Sequence, residues 1–249
     1  MRSAIVIPAR LASHRLPGKP LVLLGGLPLV VRVWQQACKV KNVGEVVVAT
    51  DHPTIAQAVQ EHGGRALMTR SDHPSGTDRC AEACRELGVD TVINLQGDEP
   101  FIVPADLAAL LAALQRPDID MATLKAPIEA PEEFASPNVV KVVCRSDDLA
   151  LYFSRAPIPV DCAGTHGLSH CFRHVGVYGY QRDALDRLCQ MPVHPLEARE
   201  GLEQLRAIAL GMRMKVLNAQ TRSIGIDTPE DLKKAQARID TLGEAAFPS

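Results

Sequence analysis

The sequence has no surplus of positive charge. Its formal net charge is −2, whereas nucleic-acid binders usually carry a basic excess, so no nucleic-acid partner is expected and the basic residues read as local ligand groups. No segment approaches eighteen uninterrupted apolar residues, which leaves no candidate for membrane insertion. The chain enters a strand-like run without a preceding signal-peptide pattern, so the expected compartment is the cytoplasm. Cysteines occur at 38, 80, 84, 144, 162, 171 and 189, but no two have the C-x-x-C spacing of a metal clip or redox pair. They read as reduced thiols, several of them small core residues, with Cys80 and Cys84 on one helix face. Internal repeats and low-complexity tracts are also lacking. What remains, 46% hydrophobic and 22% charged residues, is the composition of a soluble globular enzyme.

What is present begins with residues 4–7, an apolar run that reads as a buried parallel strand broken at Pro8, which lacks the N–H a ladder needs. A basic loop follows. Arg10, Arg15 and Lys19 stand among small and turn-forming residues (Ala9, Ala12, Ser13, Pro17, Gly18), so three cations and several backbone amides can converge on one anion such as a triphosphate. An ordinary solvated β–α loop with scattered charges fits the same composition.

Downstream the pattern alternates. An apolar-periodic segment at 29–40, containing Trp34, predicts a first helix, and residues 45–50 predict a second buried strand. Pro53 opens another helix and Gly63-Gly64 closes it. A strand at 65–68 leads to a donor-rich loop at 69–79, where Gly76 lets backbone approach a ligand, and then to a helix at 78–87. The strand at 91–95 runs into Gln96-Gly97-Asp98-Glu99-Pro100, and open α/β sheets place ligand and metal groups at such carboxyl ends. The alternation predicts an α/β fold, a doubly wound and mostly parallel sheet in a single domain spanning 1–249.

From about residue 125 the rhythm changes. Strand-like segments at 139–144, 149–154 and 172–180 predict a smaller antiparallel lobe at about 125–185, suited to a subunit contact or to covering the site. The loop at 157–169 should be exposed. A helix is expected at 197–210, with Gly201 weakening it, then a strand at 214–217 and a turn at 225–228. The last helix, at 229–239, is well specified by the hydroxyl cap, N1 proline and early acids of Thr228-Pro-Glu-Asp231. The final nine residues read as a frayed tail.

If Asp98 and Asp227 meet at one sheet edge, a hard divalent cation gains two oxygen ligands, with substrate phosphates and water completing its shell. In the plainer alternative Asp98 only caps a helix and Asp227 only begins a turn. Cys162, His166, His170, Cys171 and His174 can be drawn as a zinc site, but they lack the paired cysteines such sites usually have. A basic loop, a metal site and a donor-rich loop together suit nucleotidyl transfer. There an acceptor oxygen attacks the α-phosphorus of a nucleoside triphosphate, and cations such as Arg10 and Lys19 stabilise the leaving pyrophosphate.

The motifs Ile7-Pro-Ala-Arg-Leu-Ala-Ser-His-Arg-Leu-Pro-Gly-Lys-Pro-Leu21, Met68-Thr-Arg-Ser-Asp-His-Pro-Ser-Gly-Thr-Asp-Arg79 and Asn94-Leu-Gln-Gly-Asp-Glu-Pro100 closely resemble those of the 3-deoxy-manno-octulosonate (Kdo) cytidylyltransferases. So do Ala150-Leu-Tyr-Phe-Ser-Arg155, Arg173-His-Val-Gly-Val-Tyr-Gly-Tyr180, Leu202-Glu-Gln-Leu-Arg206 and Gly225-Ile-Asp-Thr-Pro-Glu-Asp-Leu232, in one collinear order from about residue 3 to 238. The resemblance implies a nucleotide-diphospho-sugar transferase-like fold and an Mg²⁺-dependent reaction of CTP with Kdo, giving CMP-Kdo and pyrophosphate for lipopolysaccharide. It also implies a cytoplasmic homodimer built through the smaller lobe. Carried over, Arg10, Arg15 and Lys19 would bind phosphates, with Pro8 and Ala9 backbone beside the cytosine and Arg70, Ser75 and Gly76 helping to read the base. Asp98 and Asp227 would hold Mg²⁺, and Gln96, Arg155, His174, Tyr178, Glu203 and Gln204 would bind the sugar acid. His14, His52 and His73 read as polar loop residues, and no side chain declares itself a dedicated base. The loop at 161–170 looks shorter and more polar than in parts of the family.

Two other readings compete. A cytidylyltransferase for a related acid, such as 8-amino-Kdo or a sialic acid, would need only a few altered pocket residues. A non-catalytic nucleotide-binding protein could keep the fold, although it would have no need of Asp98 and Asp227. A sugar-1-phosphate nucleotidyltransferase would open with a Gly-x-Gly-Thr-Arg loop, which is missing here.

Overall fold

The computed structural model describes residues 1–12, 15–220 and 225–248. Ser13 and His14 of the basic loop lie outside the described residues. The chain opens with strand β1 (Ser3–Ala9), a 3-10 turn (Lys19–Leu21), a small hairpin of β2 (Leu23–Leu24) and β3 (Leu27–Pro28), and helix α1 (Leu29–Ala37). Strands and helices then alternate as β4 (Glu45–Thr50), α2 (Pro53–Glu61), β5 (Arg65–Met68), α3 (Gly76–Leu87), β6 (Thr91–Asn94), α4 (Pro104–Ala113) and β7 (Met121–Pro127). After α5 (Pro131–Ala135) come β8 (Lys141–Cys144), β9 (Ala150–Ser154) and β10 (Phe172–Gln181). The chain closes with α6 (Arg182–Gln190), α7 (Pro195–Glu200), α8 (Gln204–Ala209), β11 (Met214–Asn218), α9 (Pro229–Leu242) and a second 3-10 turn (Gly243–Ala246).

One nine-stranded sheet organises these elements, with a spine in the order β11-β7-β10-β6-β1-β4-β5. Every pairing along the spine is parallel except those of β10, which is antiparallel to β6 and β7. The hairpin of β8 and β9 attaches to the first residues of β10, so the antiparallel part grows directly out of the main sheet. β1 is central and its residues 4–7 are fully buried, as expected of a parallel strand covered on both faces. Its side chains alternate between two cores. Ile5 and Ile7 pack with Val30 and Val31 of α1 and with Leu107 and Leu110 of α4. Ala4 and Val6 face Cys80 and Cys84 of α3 and Leu185 of α6. A third, smaller cluster lies apart from both and joins Leu16, Phe101, Ile226, Ile239 and Phe247.

The structure corrects four readings of the sequence. β1 does not stop at Pro8 but continues to Ala9, paired with Ala49 and Thr50 of β4. The N and C=O of one strand residue point the same way, and Val6 O accepts from Leu95 N on the β6 side. Pro8 therefore faces that same side, beyond the last β6 pair at Val6 and Asn94, where no donor is required. The helix expected at 197–210 is two helices, α7 and α8, divided by Gly201 at φ 63°. The described tail, to residue 248, is not frayed: Ala246 is fully buried and Phe247 stacks on Phe101 with ring centroids 5.2 Å apart. Finally α4, β7 and α6 had no counterpart in the expected pattern. Among the described residues no helix is long and apolar enough to cross a membrane, and all seven cysteines are free thiols.

Candidate active site

A cleft of about 370 Å³ opens at the carboxyl ends of β1 and β6. β1 delivers Pro8, Ala9 and Arg10 to it, the loop after β1 delivers Arg15 and Lys19, and the loop after β6 delivers Gln96 and Asp98. Ser75 and Gly76 close the cleft from the start of α3, and Asp227 from the start of α9. Ten of the sequence-predicted residues thus line one cavity, contributed by five separated segments. The walls are close. A Cβ on Gly76 would lie 3.3 Å from Cγ of Pro8, and one on Gly97 3.3 Å from the Pro8 carbonyl oxygen, so glycine keeps this wall open.

Charge is concentrated on one side. Lys19 Nζ donates to Asp98 Oδ2 at 2.6 Å and to Asp227 Oδ1 at 3.1 Å, and an Arg15 guanidinium nitrogen lies 3.0 Å from the same Asp227 oxygen. Burial alone would lower the proton affinity of Lys19, but the Asp98 and Asp227 carboxylates outweigh it and hold the ammonium above its ordinary range. Both acids sit on built ends. Asp98 O accepts from Ile226 N at 2.9 Å, and the residue after Asp227, Thr228, caps α9 in a reciprocal box with Asp231. Two carboxylates turned toward one cation fit a hard divalent ion such as Mg²⁺, which takes oxygen ligands and usually needs only one or two from protein. Among the described residues no cluster of three or more His, Cys, Asp or Glu side chains forms a metal site, so the zinc grouping at 162–174 is not assembled.

Beside the cleft lies a second group of expected site residues. His174 Nε2 is 2.9 Å from Thr123 Oγ1, and its ring packs edge-on to Phe153 and tilted against Tyr178, at 5.0 and 5.3 Å. Burial, helped by the charge of Arg173, pushes the imidazole down to about 3, so it is neutral at pH 7. Since Thr123 Oγ1 donates to Val177 O at 2.8 Å, the network assigns the ring proton to Nε2. Burial likewise raises the Tyr178 phenol, which stays a donor. Glu203 joins the two groups: its carboxylate accepts from Ser75 Oγ at 3.3 Å and Thr77 Oγ1 at 2.5 Å, and burial raises it. Gln204 is buried beside it at the start of α8.

Two expected residues are placed elsewhere. Arg70 is exposed and bonded to Asp72 at 3.0 Å, outside the cleft lining. Arg155 donates to the Glu200 and Pro137 carbonyls at 2.7 and 2.9 Å, which engages its guanidinium with backbone. Conversely, the cleft includes His73 and Arg79, which sequence reasoning gave no role at the site. Arg79 is 4% exposed, bonded to Thr69 and 3.3 Å from Asp51. His73 bonds Glu82, and His52 caps α2. The signal for Arg79 was its place one turn into a helix whose first residues face the cleft.

This geometry matches known proteins over most of its length. The family model described as cytidylyltransferase matches residues 4–215. The 3-deoxy-manno-octulosonate cytidylyltransferase of Rhodopseudomonas palustris (strain HaA2) is 49% identical over 243 residues, covering 94% of this chain and 96% of the relative. The enzyme of that name from Geobacter sulfurreducens is 45% identical, covering 96% of this chain and 100% of its own. A solved structure of CMP:2-keto-3-deoxy-manno-octonic acid synthetase complexed with CTP superposes with a TM-score of 0.92 at 44% identity, covering 97% of this chain and 99% of that one. A Leptospira borgpetersenii cytidylyltransferase, 17% identical with a TM-score of 0.65, shares the fold.

Proposed function

Given that the chain belongs to the cytidylyltransferase family, and within it to the 3-deoxy-manno-octulosonate cytidylyltransferases, we propose that it transfers CMP from CTP to the anomeric hydroxyl of Kdo, releasing pyrophosphate. The observation that carries this reading is the convergence of Lys19, Arg15, Asp98 and Asp227 at the carboxyl edge of the sheet. The anomeric oxygen attacks the α-phosphorus in line, and negative charge builds on the phosphoryl oxygens and the departing pyrophosphate. Arg10, Arg15 and Lys19 would supply the cations for that charge, Lys19 as a compact point charge and the arginines as planar forks. To reach phosphate, Lys19 exchanges its carboxylate contacts for phosphoryl oxygens. Bound between Asp98 and Asp227, Mg²⁺ would neutralise phosphate charge and lower the pKa of the attacking hydroxyl.

Pro8, Ala9, Ser75, Gly76 and Gln96 form the narrow wall that suits a flat pyrimidine. Arg70 would reach the nucleotide only by leaving Asp72. The acceptor falls to Gln96, His174, Tyr178, Glu203 and Gln204, a set of polar donors and acceptors suited to a polyol, and the Arg155 cation would reach its carboxylate only by giving up the Glu200 and Pro137 carbonyls. We place the reaction in the cytoplasm of a cell making lipopolysaccharide. The active form would be a homodimer joined through the extension, where β9 pairs only with β8 among the named strands and Leu151 and Val160 are exposed.

The test is pyrophosphate release from CTP and Mg²⁺ with Kdo, 8-amino-Kdo, a sialic acid or no acceptor. Release with Kdo is expected. Preference for the amino sugar would move the substrate, and silence with every acceptor while CTP binds would make the protein a binder. In the same assay Asp98→Asn should lower kcat by at least about 100-fold with the melting temperature kept; normal turnover would remove Asp98 from the metal site.

A further inference from the structure

The third hydrophobic cluster stands under the charged side of the cleft. Leu16 lies between Arg15 and Lys19 in sequence, Phe101 follows Asp98 by three residues, and Ile226 directly precedes Asp227. All three are buried in this one cluster, at 8%, 1% and 0% exposure. The segments that bring cations and carboxylates together are therefore anchored in a small core of their own, apart from the two cores that flank the sheet.

The C-terminal segment closes that core. Phe247 stacks on Phe101 with an interplanar angle of 23°, the Arg238 guanidinium lies 4.8 Å from the Phe101 centroid, and the Arg32 guanidinium lies 4.8 Å from the Phe247 centroid. Four planar groups thus run in contact from α9 to α1. Arg32 is buried and held by the Leu24 carbonyl at 3.1 Å, by the Gly25 carbonyl and by Glu244 of the terminal turn. The Gln36 amide donates to Ile102 O at 2.9 Å and to Pro248 O at 2.6 Å, clipping the loop between Asp98 and α4 to the tail.

We propose that Phe247 is a positioning residue: stacked on Phe101 and backed by Arg32, it fixes the separation of Asp98 and Asp227. The need for it follows from charge. Two carboxylates at one point repel each other. In the ligand-free protein Lys19 holds them together; when Lys19 turns to phosphate, the packing beneath Phe101 and Ile226 remains to keep the pair aligned. Phe247 lines no part of the cleft, so it acts through those two residues and the Ile226 to Asp98 backbone bond. This inference rests on the reading of Asp98 and Asp227 as the metal pair.

Two measurements test it, one of which needs no turnover. In ligand-free protein, hydrogen exchange of the peptides covering 96–103 and 225–228 should quicken by about tenfold or more in Phe247→Ala. In the pyrophosphate assay the half-saturating Mg²⁺ concentration should rise by about threefold to tenfold with KM for the acceptor unchanged. Phe247→Leu, which refills part of the space, should recover part of both effects, and it serves as the test variant if Phe247→Ala does not fold. Leu188→Ala, in the core beneath α6, supplies a comparable loss of melting temperature and should alter neither readout. Unchanged exchange at 225–228 in Phe247→Ala, or an equal rise in Mg²⁺ demand in Leu188→Ala, overturns the proposal. A wild-type protein without turnover would refute the proposed reaction, while the exchange result would still decide the anchoring.

Discussion

His174 is kept neutral by its surroundings, and that makes stability depend on acidity. Its imidazole is displaced from 6.5 to about 3 by burial and by Arg173. Between those values the unfolded chain binds a proton that the native state refuses, so this contribution is complete above pH 6.5 and is lost as pH falls toward 3. The expected slope is about 1.4 kcal/mol per pH unit inside the window. Chemical unfolding at pH 7 and pH 5 should therefore show the wild type losing up to about 2 kcal/mol more than His174→Gln over that interval. Equal losses would mean that the ring is protonated in the native state. Arg79 is the second residue with a defined consequence. Arg79→Met strands Asp51, whose side chain is 23% exposed, and should cost about 3 kcal/mol in urea unfolding. The double variant with Asp51→Asn should recover part of this loss, and additive losses would show that the pair is not coupled.

At the scale of elements, the start of α3 serves both packing and site. Ser75 caps the helix by accepting from Thr77 N and Asp78 N, and its hydroxyl also meets Glu203. Ser75→Ala should cost about 1 kcal/mol of stability and raise KM for CTP, whereas Ser75→Thr should restore the cap; a variant with full stability and unchanged KM would contradict both roles. How much of the fold was legible also varies by element. The strands β4 and β5 and the start of α9 were readable because each carries its own local signal: an apolar run bounded by turn residues, or a capping box with proline. α4 was not, because Pro104–Ala113 is apolar almost all round and shows no helical stripe. α6 begins directly at the end of β10, with no side-chain cap, glycine or proline to mark the boundary. The gathering of Arg10, Lys19 and Asp98 at one cleft was legible for the same reason as β4, since these residues follow recognisable strands. Arg155 shows the limit. Its carbonyl partners at Pro137 and Glu200 are 18 and 45 residues away, and no local pattern announces them. The tail was misread likewise, because the ring that Phe247 meets belongs to Phe101 near the middle of the chain.

For the molecule as a whole, the expected homodimer is the property that the single chain suggests least directly. Leu151, on the outer strand of the extension, is 53% exposed, and Leu151→Glu should convert a dimer to a monomer in sedimentation velocity with little change in melting temperature. A dimer that survives this change joins through another face. The sheet order has a further consequence. The residues lining the cleft come from positions 8–98 plus the start of α9, while the group around His174 and Tyr178 comes from 123–204, and β10 pairs with strands of both parts. Its first residues pair with β8 and its last with β6, across an irregularity between Val175 and Tyr178. The chain is thus divided much like a text with one inserted chapter. Recombination within this fold would exchange residues 121–213 as a contiguous block, with crossovers between α4 and β7 and before β11, and leave the cleft residues, Gln96 and Asp98 included, in place. New sugar acids would then be acquired through a single genetic exchange, without the chemistry of activation having to be invented again.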